Sequence, residues 1–258
     1  MKIFVCVKQV PDTETKIQLN SDNSSIETTN IKWVVNPYDE FAIEEALNLK
    51  SKNAGSTVTI LSMGPKSRVT DAVRTALAMG ADDGIIINSE EEQDLFTTAK
   101  ALAETIKSEG DASIIFAGKL SIDGNGAGLP QVLAEYLGMP HATVISTFED
   151  QGGKYLVQRE TESGSTKTYE ITGPCVLSAN KGLNTPRYAS LPGIMKAKKK
   201  PIKDIEFASL NIPSTFNKLT YSNLTLPPQK PSVKMVDGEA GAQANQLVDL
   251  LKNEAKVL

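Results

Sequence analysis

"ASIIFAGKLSIDGNGAGLPQVLAEYLG" (residues 112–138) passes from an apolar, β-branched run through a glycine-rich loop into helix formers, with Pro130 near the first turn of the helix. The same order recurs upstream. "KIFVCVKQV" (2–10), "STVTILSM" (56–63) and "GIIIN" (84–88) read as strands. Between them, "NPYDEFAIEEALNLKSKN" (36–53), "RVTDAVRTALAMG" (68–80) and "DLFTTAKALAETIKS" (94–108) read as helices. Ala42, Ala46 and Leu49, with Ile43 and Leu47 beside them, line one face of the first helix; Val69, Val73, Ala76 and Leu77 line the second, which Gly80 stops. Strands alternating with helices of this length imply βαβ units, a parallel sheet and right-handed crossovers. The strand runs are continuously apolar, which suits a sheet covered on both faces. The expected fold class is therefore α/β.

The rhythm changes after His141. "ATVIST", "KYLVQRE", "KTYEIT" and "CVLSA" are short runs separated by turn sequences such as "EDQGG" and "ESGST", and they read as antiparallel hairpins added to the parallel core. The polar stretch "DTETKIQLNSDNSSIETTN" (12–30) reads as a loop or an exposed hairpin. From Pro201 the chain has few apolar runs. "LTLPPQKPSVKMV" is extended and proline-rich, and "GAQANQLVDLLKNEAKVL" is a terminal helix with a stripe of Leu247, Leu250 and Leu251. The expected organisation is an α/β domain over residues 1–200, including a loop at 179–201, followed by an arm over 201–258. The arm has little core of its own and must lie on the domain or on a partner chain.

Composition narrows the function classes. The 258 residues carry a formal net charge of −4, which argues against nucleic-acid binding as the main task. No apolar run approaches the length of about 18 residues needed to cross a membrane, and "KIFVCV" is too short for the core of a signal peptide. A cytoplasmic, reducing compartment is expected. The two cysteines, Cys6 and Cys175, lie in apolar runs, so buried free thiols are expected rather than a disulfide or a nucleophile. The single histidine, His141, cannot supply a metal cluster and reads as structural. No hydrolase or metalloprotease motif is present, so self-contained acid–base catalysis has no visible machinery.

Two stretches stand out as possible sites. In an open α/β sheet, ligands bind at the carboxyl ends of strands, where "AGKLSIDGNGAGLP" falls. Its glycines let backbone N–H groups approach an anion at a helix start, and Lys119 could add charge. The spacing matches neither dinucleotide nor P-loop fingerprints, so a tight structural turn accounts for it as well. "NPYD" (36–39) could face the same crevice or simply cap its helix. The second stretch is "NTPRYASLPGIMKAKKKPI" (184–202). Leu191, Pro192, Ile194 and Met195 stand directly before Lys196, Lys198, Lys199 and Lys200. A lysine run is usually a solvated face. Here proline bracing and an aliphatic group with nothing to bury it favour a docking surface, the anchor filling a pocket and the charges steering.

At these residues the sequence resembles the β subunit of electron transfer flavoproteins. "VCVKQVPDT", "NPYDEFAIEEAL", "RTALAMGAD", "AGKLSIDG", "NTPRYASLPGIMKAKKKPI" and the late "PPQ" occur in the family's order along almost the whole chain. The resemblance implies an α/β domain of the adenine-nucleotide-binding (HUP, adenine nucleotide alpha hydrolase-like) type and a C-terminal arm embracing an α subunit that holds most of an FAD. It implies that Leu191 anchors in a pocket of a partner acyl-CoA dehydrogenase, with electrons passing on to a membrane quinone oxidoreductase. It also implies an electron carrier without its own acid, base or nucleophile.

The family's buried AMP would correspond here to Cys6, Asn36, Pro37, Tyr38, Asp39 and Met63. Gly118, Lys119, Ile122, Asp123, Gly124 and Asn125 continue that set, followed by Gly126, Ala127, Gly128 and Leu129. The sequence departs from the family at Gly128, where a glutamine is common, and at Pro130, where a glycine is. Ser163 and Lys167 depart in the hairpin, with an effect on local turn geometry alone. Two other readings stand beside this one: an electron-bifurcating flavoprotein with a second FAD in place of AMP, and a stand-alone nucleotide-binding regulatory module. "IMKAKKK" favours the plain carrier.

Overall fold

The computed structural model describes residues 1–258, apart from the side chain of Ser214. β1 (Lys2–Cys6) alternates Ile3 and Val5 to one face with Phe4 and Cys6 to the other, and all four are buried. A two-stranded antiparallel ribbon follows, β2 (Gln9–Pro11) with β3 (Trp33–Val35), and a single bridge joins Leu19 to Ile26 in the polar stretch between them. α1 (Pro37–Lys52) begins with a proline, whose fixed φ suits a first turn. Then come β4 (Thr57–Gly64), α2 (Lys66–Met79), β5 (Asp83–Asn88), α3 (Leu95–Glu109), β6 (Ile114–Gly118) and α4 (Leu129–Leu137). Asp94 caps α3 by accepting the Thr97 amide at 2.8 Å.

The later elements are β7 (His141–Asp150), β8 (Lys154–Glu160), β9 (Thr166–Thr172), β10 (Cys175–Ala179), α5 (Leu191–Ala197), β11 (Ile202–Glu206) and α6 (Ala240–Asp249). Nine strands form one sheet in the order β11-β5-β4-β1-β6-β10-β7-β8-β9, parallel from β11 to β7 and antiparallel from β7 to β9. α1 and α2 pack on the face of Ile3 and Val5, and α3 and α4 on the face of Phe4 and Cys6. Burying each such aliphatic or aromatic side chain stabilises by roughly 1.5–3 kcal/mol. From β1 the chain builds outward through β4 and β5, then returns to place β6 on the other side of β1. The carboxyl ends of β1 and β6 therefore flank a topological switch point, where open α/β sheets take ligands.

Three expectations change. β10 is not part of a hairpin. All five of its residues are buried and it lies parallel between β6 and β7. Its short spacing from β9 suggested a hairpin, but a continuously apolar strand is stable where both faces are covered. Second, the stretch from Pro201 begins with sheet, not arm: β11 pairs in parallel with β5, and Phe207, Leu210 and Ile212 pack on the α3 side. Third, the segment read as loop contains α5, started by the Ser190 hydroxyl, which accepts the Gly193 amide at 3.1 Å.

Beyond residue 212 the chain touches the domain at few points. Phe216 meets Tyr136 edge-on with centroids 6.1 Å apart, and Asp94 accepts the amides of Lys218 and Leu219 at 2.6 and 3.0 Å. α6 ends in a π-helical turn, Leu250–Glu254, and contains no buried residue. Among the described residues, no helix is long and apolar enough to cross a membrane.

Candidate functional site

Asn36 and Asp39 sit at the switch point, and their side chains bind the protein itself. Asp39 accepts the amide of Lys8, just past β1, at 2.7 Å and that of Gly118, at the end of β6, at 3.0 Å. Asn36 donates to Asp39 at 2.9 Å and to the Leu120 carbonyl at 2.8 Å, and accepts the Ile122 amide at 3.2 Å. The pair thus joins both strand ends and fixes the start of the glycine-rich loop. Gly118 is required there, because a Cβ would fall 2.3 Å from the Asp39 carboxylate. Burial pushes the Asp39 carboxyl up to about 7, against the hydrogen bonds from Lys8, Asn36 and Gly118. Neither residue offers a free cap at the start of α1, so the capping role weighed from sequence does not hold.

The other crevice residues converge on the same edge. Cys6 ends β1 as a buried thiol, pushed up to about 12 by burial and then by Asp39, so it stays protonated. Met63 stands near the end of the neighbouring strand β4 and packs toward α3. Lys119 extends over the Tyr38 ring, 4.7 Å from its centroid. Asp123 pairs with Lys8 at 2.7 Å; burial raises its pKa, but Lys8 together with the Ser121 and Gly124 hydrogen bonds holds it below its ordinary value. Residues 124–127 are exposed, with Asn125 and Ala127 at positive φ. Among the described residues, the amides of Gly126, Ala127 and Gly128 meet no protein acceptor. They precede α4, whose first turn holds no acidic residue and no side-chain cap. Free amides before an uncapped helix fit an anionic group. Lys8 went unmarked in the sequence as a site residue; only its pairing across 115 positions reveals it.

The residues of the expected docking surface lie elsewhere, on α5 against α2. Leu191 is 80% exposed, Met195 71% and Ile194 42%, while Ala197 is buried. Tyr188, three positions before Leu191, is 98% exposed and was not singled out, because an aromatic in a loop gives no pattern by itself. The backbone beneath is tightly held. Gly193 approaches α2 so closely that a Cβ would lie 2.4 Å from the Ala78 carbonyl. Arg74 donates to the carbonyls of Ala197 and, at 2.8 Å, Lys200. Arg187 pairs with Glu44 through two nitrogens at 2.8 Å each, and Asn184 donates to Glu45 at 2.8 Å. Lys196, Lys198 and Lys199 are exposed. Lys200, expected with them, is half-buried and donates its ammonium to the carbonyls of Leu77 and Ala81 at the end of α2.

The electron transfer flavoprotein domain matches residues 24–210. The "Electron transfer flavoprotein subunit beta" of Bacillus subtilis is 39% identical, over 100% of both chains. That of Bradyrhizobium diazoefficiens is 38% identical over the same full coverage, as is the mitochondrial subunit of Arabidopsis thaliana. The chain belongs to the electron transfer flavoprotein β-subunit family.

As a member of the electron transfer flavoprotein family, the chain has its role in electron transfer. The matched region ends at residue 210, within the segment that follows β11. That agrees with β11 belonging to the folded domain rather than to the arm. Both cysteines remain free and buried, and burial pushes Cys175, like Cys6, up to about 12. Neither thiol supplies a thiolate near neutral pH.

Proposed function

We propose that the chain is the small subunit of a heterodimeric electron carrier. Its arm beyond residue 212 lies on an α subunit that holds most of an FAD, and α5 docks an acyl-CoA-type dehydrogenase. The crevice at β1 and β6 takes AMP, and electrons pass on to a membrane quinone oxidoreductase. The FAD supplies the electron-accepting chemistry when bound; the residues of this chain position, dock and steer. Free amides at 126–128 support the nucleotide part, and the unpartnered apolar residues of the arm support the α subunit: Leu226, Val233, Met235 and Leu247 are exposed.

The observation that carries the reading is Leu191, 80% exposed on a helix whose backbone is fixed by Gly193, Ser190 and Arg74. A rigid apolar tip loses little entropy on docking, and the exposed lysines raise the association rate with an acidic partner. Burying a leucine is worth roughly 1.5–3 kcal/mol, so Leu191→Ala weakens docking by about one to two orders of magnitude. The test is electron transfer from the dehydrogenase against carrier concentration at two ionic strengths. Leu191→Ala raises the half-saturating concentration at both. Neutralising Lys196, Lys198 and Lys199 together mainly lowers the rate at low salt. Unaltered concentration dependence in a folded Leu191→Ala protein removes the anchor.

A further inference from the structure

Arg68, in the first turn of α2, lies over Trp33 of β3, with 4.0 Å from the guanidinium carbon to the ring centroid. Its Nη2 is 3.8 Å from where a Cβ on Gly64 would stand, which puts the guanidinium over the carboxyl end of β4. Among the described residues, no carboxylate pairs with it and no acceptor takes its side-chain N–H groups. Yet it is half-buried: burial lowers its pKa, and the charges of Glu92 and Asp123 act the other way, so it lies within the field of the crevice loop. Its donors have no protein acceptor and are not sealed from solvent, so they are open to an incoming anion. The first turn of α2 adds Lys66 and Arg68 to its positive end and has no acid to offset it.

Of the other two crevice cations, Lys8 is paired with the Asp123 carboxylate at 2.7 Å, and Lys119, like Arg68, lies over an aromatic ring, that of Tyr38. After Asp123 the loop offers only one polar side chain, Asn125, before α4. We propose that Arg68, held flat against Trp33, binds the phosphate of the nucleotide taken up in the crevice. The planar fork of a guanidinium matches two phosphate oxygens, and stacking keeps it oriented before the ligand arrives. This assignment rests on the crevice being a nucleotide site. The phosphate belongs either to a mononucleotide or to the pyrophosphate of a dinucleotide.

Equilibrium binding of adenosine, AMP and ADP to the ligand-stripped full chain tests it, in the wild type and in Arg68→Gln. Charge-assisted hydrogen bonds of this kind are worth about tenfold to a hundredfold in affinity, so the preference for AMP over adenosine falls by that factor in Arg68→Gln while adenosine binding is unchanged. A larger loss for ADP than for AMP assigns the pyrophosphate source; an equal loss assigns the mononucleotide. Trp33 is the one tryptophan of the sequence, so its emission gives a readout that needs no variant. AMP alters that emission and adenosine does not. An AMP preference unchanged in Arg68→Gln, or equal emission responses to AMP and adenosine, overturns the assignment alone. A wild-type chain that binds none of the three ligands overturns the nucleotide reading and this assignment with it.

Discussion

Asp39 joins two strand ends that no local pattern connects. Its partners are the amides of Lys8 and Gly118, the second 79 positions away, so in sequence "NPYD" could be read as facing the crevice or as capping a helix, but not as the link between the two strands. The resemblance marked Asn36 and Asp39 as ligand positions, and in the structure their side chains also hold the crevice loop. The chemistry has a pH signature. The Asp39 carboxyl has an ordinary value of 3.8 and a folded value of about 7. An acid raised on folding favours the folded state when protonated. That contribution is fully present below about pH 4 and is lost as pH rises to about 7. Denaturant unfolding of the wild type and Asp39→Asn from about pH 4 to about pH 8 reads it directly: the wild type loses stability relative to Asp39→Asn across the window, then levels off. A constant difference throughout would show that Asp39 does not titrate there.

At the scale of elements, the parallel core was legible because period and punctuation agreed. Helices α1 to α4 and strands β1, β4, β5 and β6 lie where apolar runs and helix formers alternate. β10 and β11 were not legible in the same way, since a short apolar strand carries no information about its neighbours; pairing across the sheet decides them. α5 escaped because prolines at 186, 192 and 201 suggested an extended loop, whereas Pro192 sits in the first turn, where its missing N–H costs nothing. Gly193 makes this element testable. A methyl group there meets the Ala78 carbonyl at 2.4 Å, a backbone contact that cannot rotate away. Gly193→Ala therefore moves α5 off α2, destabilising by about 1–3 kcal/mol, as overpacking does. Limited proteolysis cuts residues 184–200 faster in that variant; unchanged cleavage and stability contradict the close packing.

For the whole molecule, the arm is the part that the domain does not explain. Residues 220–249 are mostly exposed, and α6 shows no buried side chain. Hydrogen exchange on the isolated chain is expected to show weak protection beyond residue 220, strengthened when the α subunit is added. Strong uniform protection in a monomer removes the need for a partner. The central claim is that this chain carries electrons only within such a complex. Its most direct measurement mixes a reduced acyl-CoA dehydrogenase either with the chain alone or with the chain joined to its α subunit, and follows flavin absorbance. The account predicts rapid bleaching of the complex's flavin and no electron uptake by the chain alone. Electron uptake by the chain alone, or an intact flavin-loaded complex that the dehydrogenase cannot reduce, would contradict it.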